Sequence, residues 1–553
     1  MIKEWQTECD SLEHGHHQCK PQNPVRLLPK RLLDLEAIPG CEDLKLVHTL
    51  DLDPVTRYTT LSHCWGPPVV LPPLRTTKSR LDDFCSLISF LSLPQNFKDA
   101  VLLTRMLNVR YLWIDSLCIV QDNIHDWEVE SARMASYYQH SYLTIAAAAS
   151  SHCHGGFIKD LEPSLYSPYA VGSYTNGVAR MRTATADENL RLRHDLTENP
   201  FLQRAWVLQE QILSPRAVFC VGNTQMYWQC RKFFASEDGS LEDHRLRLLW
   251  CRVERPFNMS DLCSAHSLWW NVVDDYSRRH VTFVSDRGPA IAGLVEFYRS
   301  ATGHTPLLGL WKETLCYDLS WKATHRISAD SDYDQDPVAS QQHTTEFPSW
   351  SWLSVLGGEG NTNVHMWRSP DQVEAGRYTT EIEVLSAETT WDGEPFTSPL
   401  RSTNLEVSGF VIKAVIGESI NSEFTNEITF ALEIVEKQET AHQHWSLPRQ
   451  VVLDWPAGAA GFPAVTLLHL HQEVLLLDWM SSFSWFGGGE ARCHVIDTYL
   501  CLRQGSNDLT NFQRIGISRK TSFFPWDEGV AAAGKRMLGG WYQGQSPCVL
   551  QLA

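Results

Sequence analysis

Asp115, Cys118 and His63 are the first residues in this chain whose types and spacing suggest chemistry. The stretch YLWIDSLCIVQ, Tyr111–Gln121, climbs through apolar residues, drops onto Asp115, and then offers Ser116, Cys118 and Gln121. A carboxylate just past a buried strand is where open α/β sheets place ligand-binding groups. The same carboxylate can instead accept backbone N–H bonds and fix a turn, and the return of apolar residues at Leu117 and Ile119 favours that use. Cys118 would be a nucleophile only with a base in hydrogen-bond reach. His63, at the end of RYTTLSHCWG, is the base that a neighbouring strand would bring. The bland alternative is an inert buried thiol.

Two other stretches carry metal-ligand types. CDSLEHGHHQC offers Cys9, His14, His16, His17 and Cys19. Their types suit zinc, but their spacing matches no common structural site, so the expectation is a flexible terminal tract and no metal. In SHCHGG, Ser151–Gly156, the paired glycines more simply mark a turn.

The elements that must position these residues follow from hydrophobic pattern. Arg57–Gly66 reads as a strand ending at a breaker, with Pro67 and Pro68 behind it. Leu93–Leu107 reads as a helix with Phe97, Ala100, Val101, Thr104 and Leu107 on one face. YLWI is a short continuous apolar run, the pattern of a buried parallel strand. Asp126 is the expected N-cap of a helix whose inner face holds Trp127, Met134 and Tyr138, with Glu128, Glu130 and Arg133 facing solvent. Tyr142–Ala149 is a further strand. This alternation predicts an α/β core with a parallel sheet.

Residues 160–200 read as an insertion with antiparallel hairpins. RAWVLQEQIL, Arg204–Leu213, reads as a helix, and Val218–Gln229 as a strand region. Helical patterns follow over Ser264–Ser300 and again over Gly309–Ala323. After Ser328 comes a polar linker, ADSDYDQDPVASQQHTTE, and from Phe347 onward short β runs such as Leu405–Ile412, Ile428–Ile434 and Val474–Leu477.

Composition bounds the function. A chain of 553 residues exceeds one ordinary core. It is 43% hydrophobic and 20% charged, which supports folded domains. The net charge of −18 opposes nonspecific nucleic-acid binding. No run of apolar residues is long enough for a membrane span, and the first residues lack the apolar stretch of a secretory signal. The 15 cysteines are an odd number without a regular framework, as expected for reduced thiols in a cytoplasmic protein. Trp65, Trp113, Trp127, Trp206 and Trp228 are expected mainly in the core. Nothing resembles a P-loop or a GxGxxG phosphate cradle, so no cofactor is evident.

Four stretches in order resemble the fungal heterokaryon-incompatibility (HET) domain family: YTTLSHCWG at Tyr58–Gly66, LPQNFKDAV at Leu93–Val101, YLWIDSLCIVQD at Tyr111–Asp122, and RAWVLQEQILSPR at Arg204–Arg216. DWEVESARMASYYQHSYLTIAAA between them, and WWNVVDDYSRRHVTFVSDRGPAIAGL, GLWKETLCYDLSW and FPSWSWLSV beyond, are similar to further family segments. The resemblance implies a role in self/non-self recognition (heterokaryon or vegetative incompatibility) leading to programmed cell death. Its partner would be an incompatibility protein or a second copy. With the patterns above it divides the chain into an irregular leader with short strands over 1–56, a HET domain over 57–230, a helical extension over 231–328 and a β-rich region over 329–553.

The HET domain in turn resembles the TIR domain. The implied fold is a TIR-like, flavodoxin-like parallel-sheet core with insertions, a helical extension and a β-rich C-terminal part. In some TIR domains a helical Glu in a Trp-containing pattern cleaves the nicotinamide–ribose bond of NAD. The matching pattern here is Trp206-Val207-Leu208-Gln209-Glu210, which puts Glu210 in that position with NAD as substrate. The other reading pairs Glu210 with Arg204 or Arg216 at a helix surface. A third assignment is a tailoring enzyme of secondary metabolism, with Asp115, Cys118, His63 and Glu210 lining one small-molecule pocket.

Overall fold

The computed structural model describes residues 1–11, 16, 19, 28–66, 73–158, 169–174, 177–181, 199–221, 226–237, 242–243, 262–325, 346–355, 362–366, 378–421, 428–434, 450–453, 465–477, 492–504, 511–525 and 547–552. The chain divides into two compact units. One is Met1–Pro256 with Val281–Glu296, and the other is Phe257–His280 with Phe297–Ala553.

The first unit is built on a nine-stranded sheet. Its centre is parallel. Strand β3 (Tyr58–Ser62) lies between β4 (Tyr111–Ile114) and β5 (Leu143–Ala146), and β5 pairs in turn with β6 (Arg216–Cys220). Taken alone, the four parallel strands stand in the order 2-1-3-4, so the chain reverses its winding direction beside β3. Antiparallel strands extend both sides: β1 (Arg31–Asp34) and β2 (Lys45–His48) beside β4, and β7 (Met226–Cys230), β8 (Phe234–Ser236) and β9 (Glu242–Asp243) beside β6. The short strands expected in the 1–56 leader are two strands of the main sheet, and a helix, α1 (Ile2–Asp10), which was not expected, precedes them.

Continuous burial explains the central strands. β3 and β5 are buried at every position, as strands covered on both faces are, and two of the threonines they bury, Thr60 and Thr144, satisfy each other's hydroxyls at 2.7 Å. Helix α2 (Gln95–Met106) connects β3 to β4, with Phe97, Ala100, Val101 and Thr104 buried. Thr104 and Thr59 exchange a hydroxyl bond of 2.8 Å. Helix α3 (Ile124–His140) connects β4 to β5, and α4 (Ala205–Leu213) leads into β6.

Two expectations for α3 are corrected. Asn123 is the N-cap, its side chain accepting from the Asp126 N–H. Asp126 is instead buried against Arg31, with Lys30 at 2.7 Å. Glu130 is buried too and accepts from the Tyr137 hydroxyl at 3.1 Å. Periodicity alone assigned it to solvent; its hydroxyl partner Tyr137 lies two turns on along the same helix, and the positive charge of Arg31 acts on it from a distant part of the sequence.

The SHCHGG turn is present, closed by Gly155 N–H to His152 C=O at 3.3 Å. Among the described residues of the segment 160–200, Tyr169–Tyr174 pairs antiparallel with Gly177–Met181. The polar linker at 329–345 lies outside the described residues.

In the second unit the expected helix over Gly309–Ala323 is replaced by short elements. Pro306–Leu307 and Leu310–Trp311 form a hairpin, only Lys312–Thr314 and Leu315–Asp318 are helical, and Trp321–His325 is a strand. Asp318 explains the change, because its carboxylate accepts from the Trp311 N–H at 2.8 Å and the Thr314 hydroxyl at 3.0 Å and closes the intervening turn. The β-rich part holds a ten-stranded sheet. Six of its strands pair in a ring: Val465–Leu477, Val411–Asn421, Ile428–Ile434, Gln450–Leu453, Asn511–Pro525 and Arg492–Gln504, which returns to the first. Closure of this kind removes exposed strand edges. Among the described residues no helix is long and apolar enough to cross a membrane.

Candidate active site

The carboxyl ends of β3 and β4 and the inner face of α4 meet at Glu210. This carboxyl is buried. Ser62, the last residue of β3, donates its hydroxyl to Glu210 Oε2. Tyr138, buried on the inner face of α3, makes a second side-chain hydrogen bond to it. Burial pushes the Glu210 carboxyl up to about 7, against the opposing pull of the Ser62 bond and the Arg204 charge. Burial likewise pushes the Tyr138 hydroxyl well above its usual range, with Glu210 adding to the effect. A carboxyl poised near neutrality can exist in both charge states under ordinary conditions, which suits acid–base or charge-stabilising work.

His63 follows Ser62 and is buried. Its Nδ1 stands 3.8 Å from Asp115 Oδ1. Burial lowers its pKa to about 4, so at neutral pH the ring is uncharged and this contact is not an ion pair. His63 Nε2 is buried and has no hydrogen-bond partner. Phe97 meets the ring edge-on at 5.1 Å.

Asp115 begins a single helical turn, Asp115–Cys118, directly after β4. Its carboxylate accepts from its neighbour's backbone, Ser116 N–H at 2.7 Å, and from Trp65 Nε1 at 2.8 Å. It therefore fixes the turn and also faces the site, where it acts on Glu210 through space. Arg204, at the start of α4, donates to the His63 carbonyl at 2.6 Å and acts on the Glu210 carboxyl as a nearby positive charge. Trp65, Asp115 and Arg204 are partly exposed, while Ser62, His63, Tyr138 and Glu210 lie buried behind them.

The backbone after β3 is held in place by Gly66, at φ +89°. A Cβ there would stand 2.4 Å from His152 Cβ, so the approach to the Ser151–Gly156 turn requires glycine.

Of the four residues singled out by sequence, His63, Asp115 and Glu210 thus come together. Cys118 does not share their setting. It is wholly buried, and burial pushes its thiol up to about 12 against a weaker opposing backbone interaction at Ile114. The Glu210–Arg216 pairing is absent, because Arg216 binds Cys9 and Asp10. Glu210 sits at no helix surface. Ser62 and Tyr138 were not singled out for chemistry; TLSHCWG contains the serine, but nothing local showed that a helix Glu would reach it from 148 positions away.

A second set of polar groups gathers elsewhere in this unit. Cys9, His16 and Cys19 are buried, which corrects the expectation of a flexible tract, and Cys230 at the end of β7 joins them. His14 and His17 lie outside the described residues.

Residues 58–210 match the family described as heterokaryon incompatibility protein (HET). No curated protein and no solved structure matches the chain. The matched span opens with the first parallel strand and closes on the buried carboxyl itself. Tyr58–Glu210 therefore carries a HET domain, about a quarter of the chain's length.

Proposed function

We propose that the HET domain is an NAD-cleaving enzyme, and that this chemistry is how self/non-self recognition between fungal cells becomes programmed cell death. The observation that supports it most is Glu210: a buried carboxyl under the carboxyl edge of a parallel sheet, beside a winding reversal, held by the hydroxyls of Ser62 and Tyr138. In the reaction the C1′–N bond between ribose and nicotinamide breaks. Nicotinamide leaves with the bonding electron pair, and water adds to C1′ and loses a proton. The developing oxocarbenium charge on the ribose is what ionised Glu210 would stabilise. Arg204 places positive charge at the rim, suited to the dinucleotide's diphosphate. Recognition of an incompatibility partner or of a second copy falls to surfaces outside this site.

Purified full-length protein incubated with NAD should release nicotinamide and ADP-ribose in equal amounts. Glu210→Gln should lose roughly a hundredfold or more of that rate. In a fungal host, expression of the wild-type chain should arrest growth and Glu210→Gln should not. Undiminished toxicity in that variant would assign cell death to association rather than to chemistry at Glu210.

A further inference from the structure

Cys9, His16, Cys19 and Cys230 each offer one ligand atom, and these atoms all lie within 4.8 Å of one another, with all four residues buried. His16 Nδ1 stands 3.7 Å from Cys19 Sγ and 3.9 Å from Cys230 Sγ. Tetrahedral zinc with ordinary bond lengths would set N···S near about 3.6 Å and S···S near about 3.8 Å. The donors are therefore already spaced for an ion at their centre, with adjustments of a few tenths of an ångström for the two measured pairs.

The surroundings match what a metal–thiolate centre needs. Cys230 Sγ accepts the backbone N–H groups of Lys232 and Phe233, each at 3.4 Å. Arg216 Nε stands 3.2 Å from Cys9 Sγ. Three thiolates, one neutral imidazole and a divalent cation sum to one negative charge, which the Arg216 guanidinium offsets in a buried setting. The far nitrogen of His16, Nε2, faces Glu8 Oε1 at 4.0 Å, the side on which a carboxylate orients a ligating imidazole. Phe233 packs edge-on against the same ring at 5.3 Å. Three soft ligands and one imidazole select zinc over the hard divalent ions.

We propose that Cys9, His16, Cys19 and Cys230 form a structural zinc site that fastens the N-terminal segment to β7. Binding joins one Zn²⁺ to three sulfurs and to His16 Nδ1, and the three thiol protons leave to solvent. All four positions are filled by protein, so the site has no open place for substrate and belongs to folding rather than to turnover. Helix α1 already lies along this edge, with Trp5 and Trp228 5.9 Å apart and Arg216 bonded to Asp10 at 2.6 Å. The metal would fasten His16 and Cys19 to the same strand. Cys230 escaped sequence reading because it lies 214 positions from His16, far outside any compact ligand motif.

The test uses the full-length chain, purified without chelator and analysed for metal and for free thiols. The expected result is one zinc per chain, and cobalt substitution giving a tetrahedral spectrum with thiolate charge transfer. Cys230→Ser should abolish stoichiometric zinc. His16→Cys should keep one metal and gain charge-transfer intensity, a rescue that separates ligation from misfolding. Wild-type chain that takes up no stoichiometric zinc, or that carries a disulfide among the three cysteines, would overturn the proposal. So would a His16→Cys spectrum unchanged from wild type.

Discussion

Ser62, Glu210 and His63 carry opposite burdens. Glu210 titrates near 7 in the folded chain against a usual 4.5. It contributes stability that is full at low pH and is lost as pH rises from about 4.5 through about 7, at most about 3 kcal/mol. His63 titrates near 4 against a usual 6.5, so its burial costs stability as pH falls from about 6.5 through about 4. Between about 4.5 and 6.5 the two slopes oppose each other and nearly cancel. In Glu210→Gln only the His63 slope remains, so denaturant titrations should show stability rising with pH across that interval, where the wild type is nearly flat. Ser62→Ala removes a hydrogen bond to the charged form of Glu210. Its carboxyl should titrate higher still, and NAD cleavage at neutral pH should fall by roughly tenfold to a hundredfold, with the activity midpoint displaced to higher pH.

Among the elements, the turn after β4 depends most on distant residues. Arg31, wholly buried on β1, binds Asp126 and donates to the Cys118 carbonyl at 2.7 Å, while Asp126 also takes the Val120 N–H at 2.9 Å. Arg31→Ala leaves the Asp126 carboxylate buried with only Lys30 as a charged partner, and should cost about 3–5 kcal/mol by chemical denaturation. YLWI was legible as a buried parallel strand because a short apolar run has few other uses. The positions of α2 and α4 were legible from their apolar spacing. What escaped was what side-chain pairing decides: Asp126 taken from capping by distant Arg31, Glu130 turned inward, and Gly309–Ala323 broken by the Asp318 turn into a hairpin, short helical turns and a strand. The site was half legible. His63, Asp115 and Glu210 follow from motif and strand ends, whereas Ser62 and Tyr138 matter only because α4 and α3 pack over the same strand end.

At the scale of the whole molecule, two compact units predict two unfolding events, since a chain with separate cores need not melt as one. Gly309 reports on the second. It sits at φ +84°, its carbonyl accepts from the indoles of Trp269 and Trp352 at 3.0 and 2.9 Å, and a Cβ would stand 2.6 Å from Trp352 Nε1. Gly309→Ala should lower one calorimetric transition and leave the other in place, while Arg31→Ala should do the reverse. A single transition moved by both would contradict independent cores. The HET domain lies wholly within the first unit, so NAD cleavage should survive Gly309→Ala at temperatures below either transition.

In the proposed reaction Glu210 acts as an ionised carboxylate. The most direct measurement is kcat/KM for nicotinamide release across about pH 5 to about pH 9, for the wild type and for Glu210→Gln. The wild-type rate should rise with pH through a midpoint near 7, and the variant should be flat and near background. Release that is equal in the two proteins, or no release from either at any pH, would contradict it.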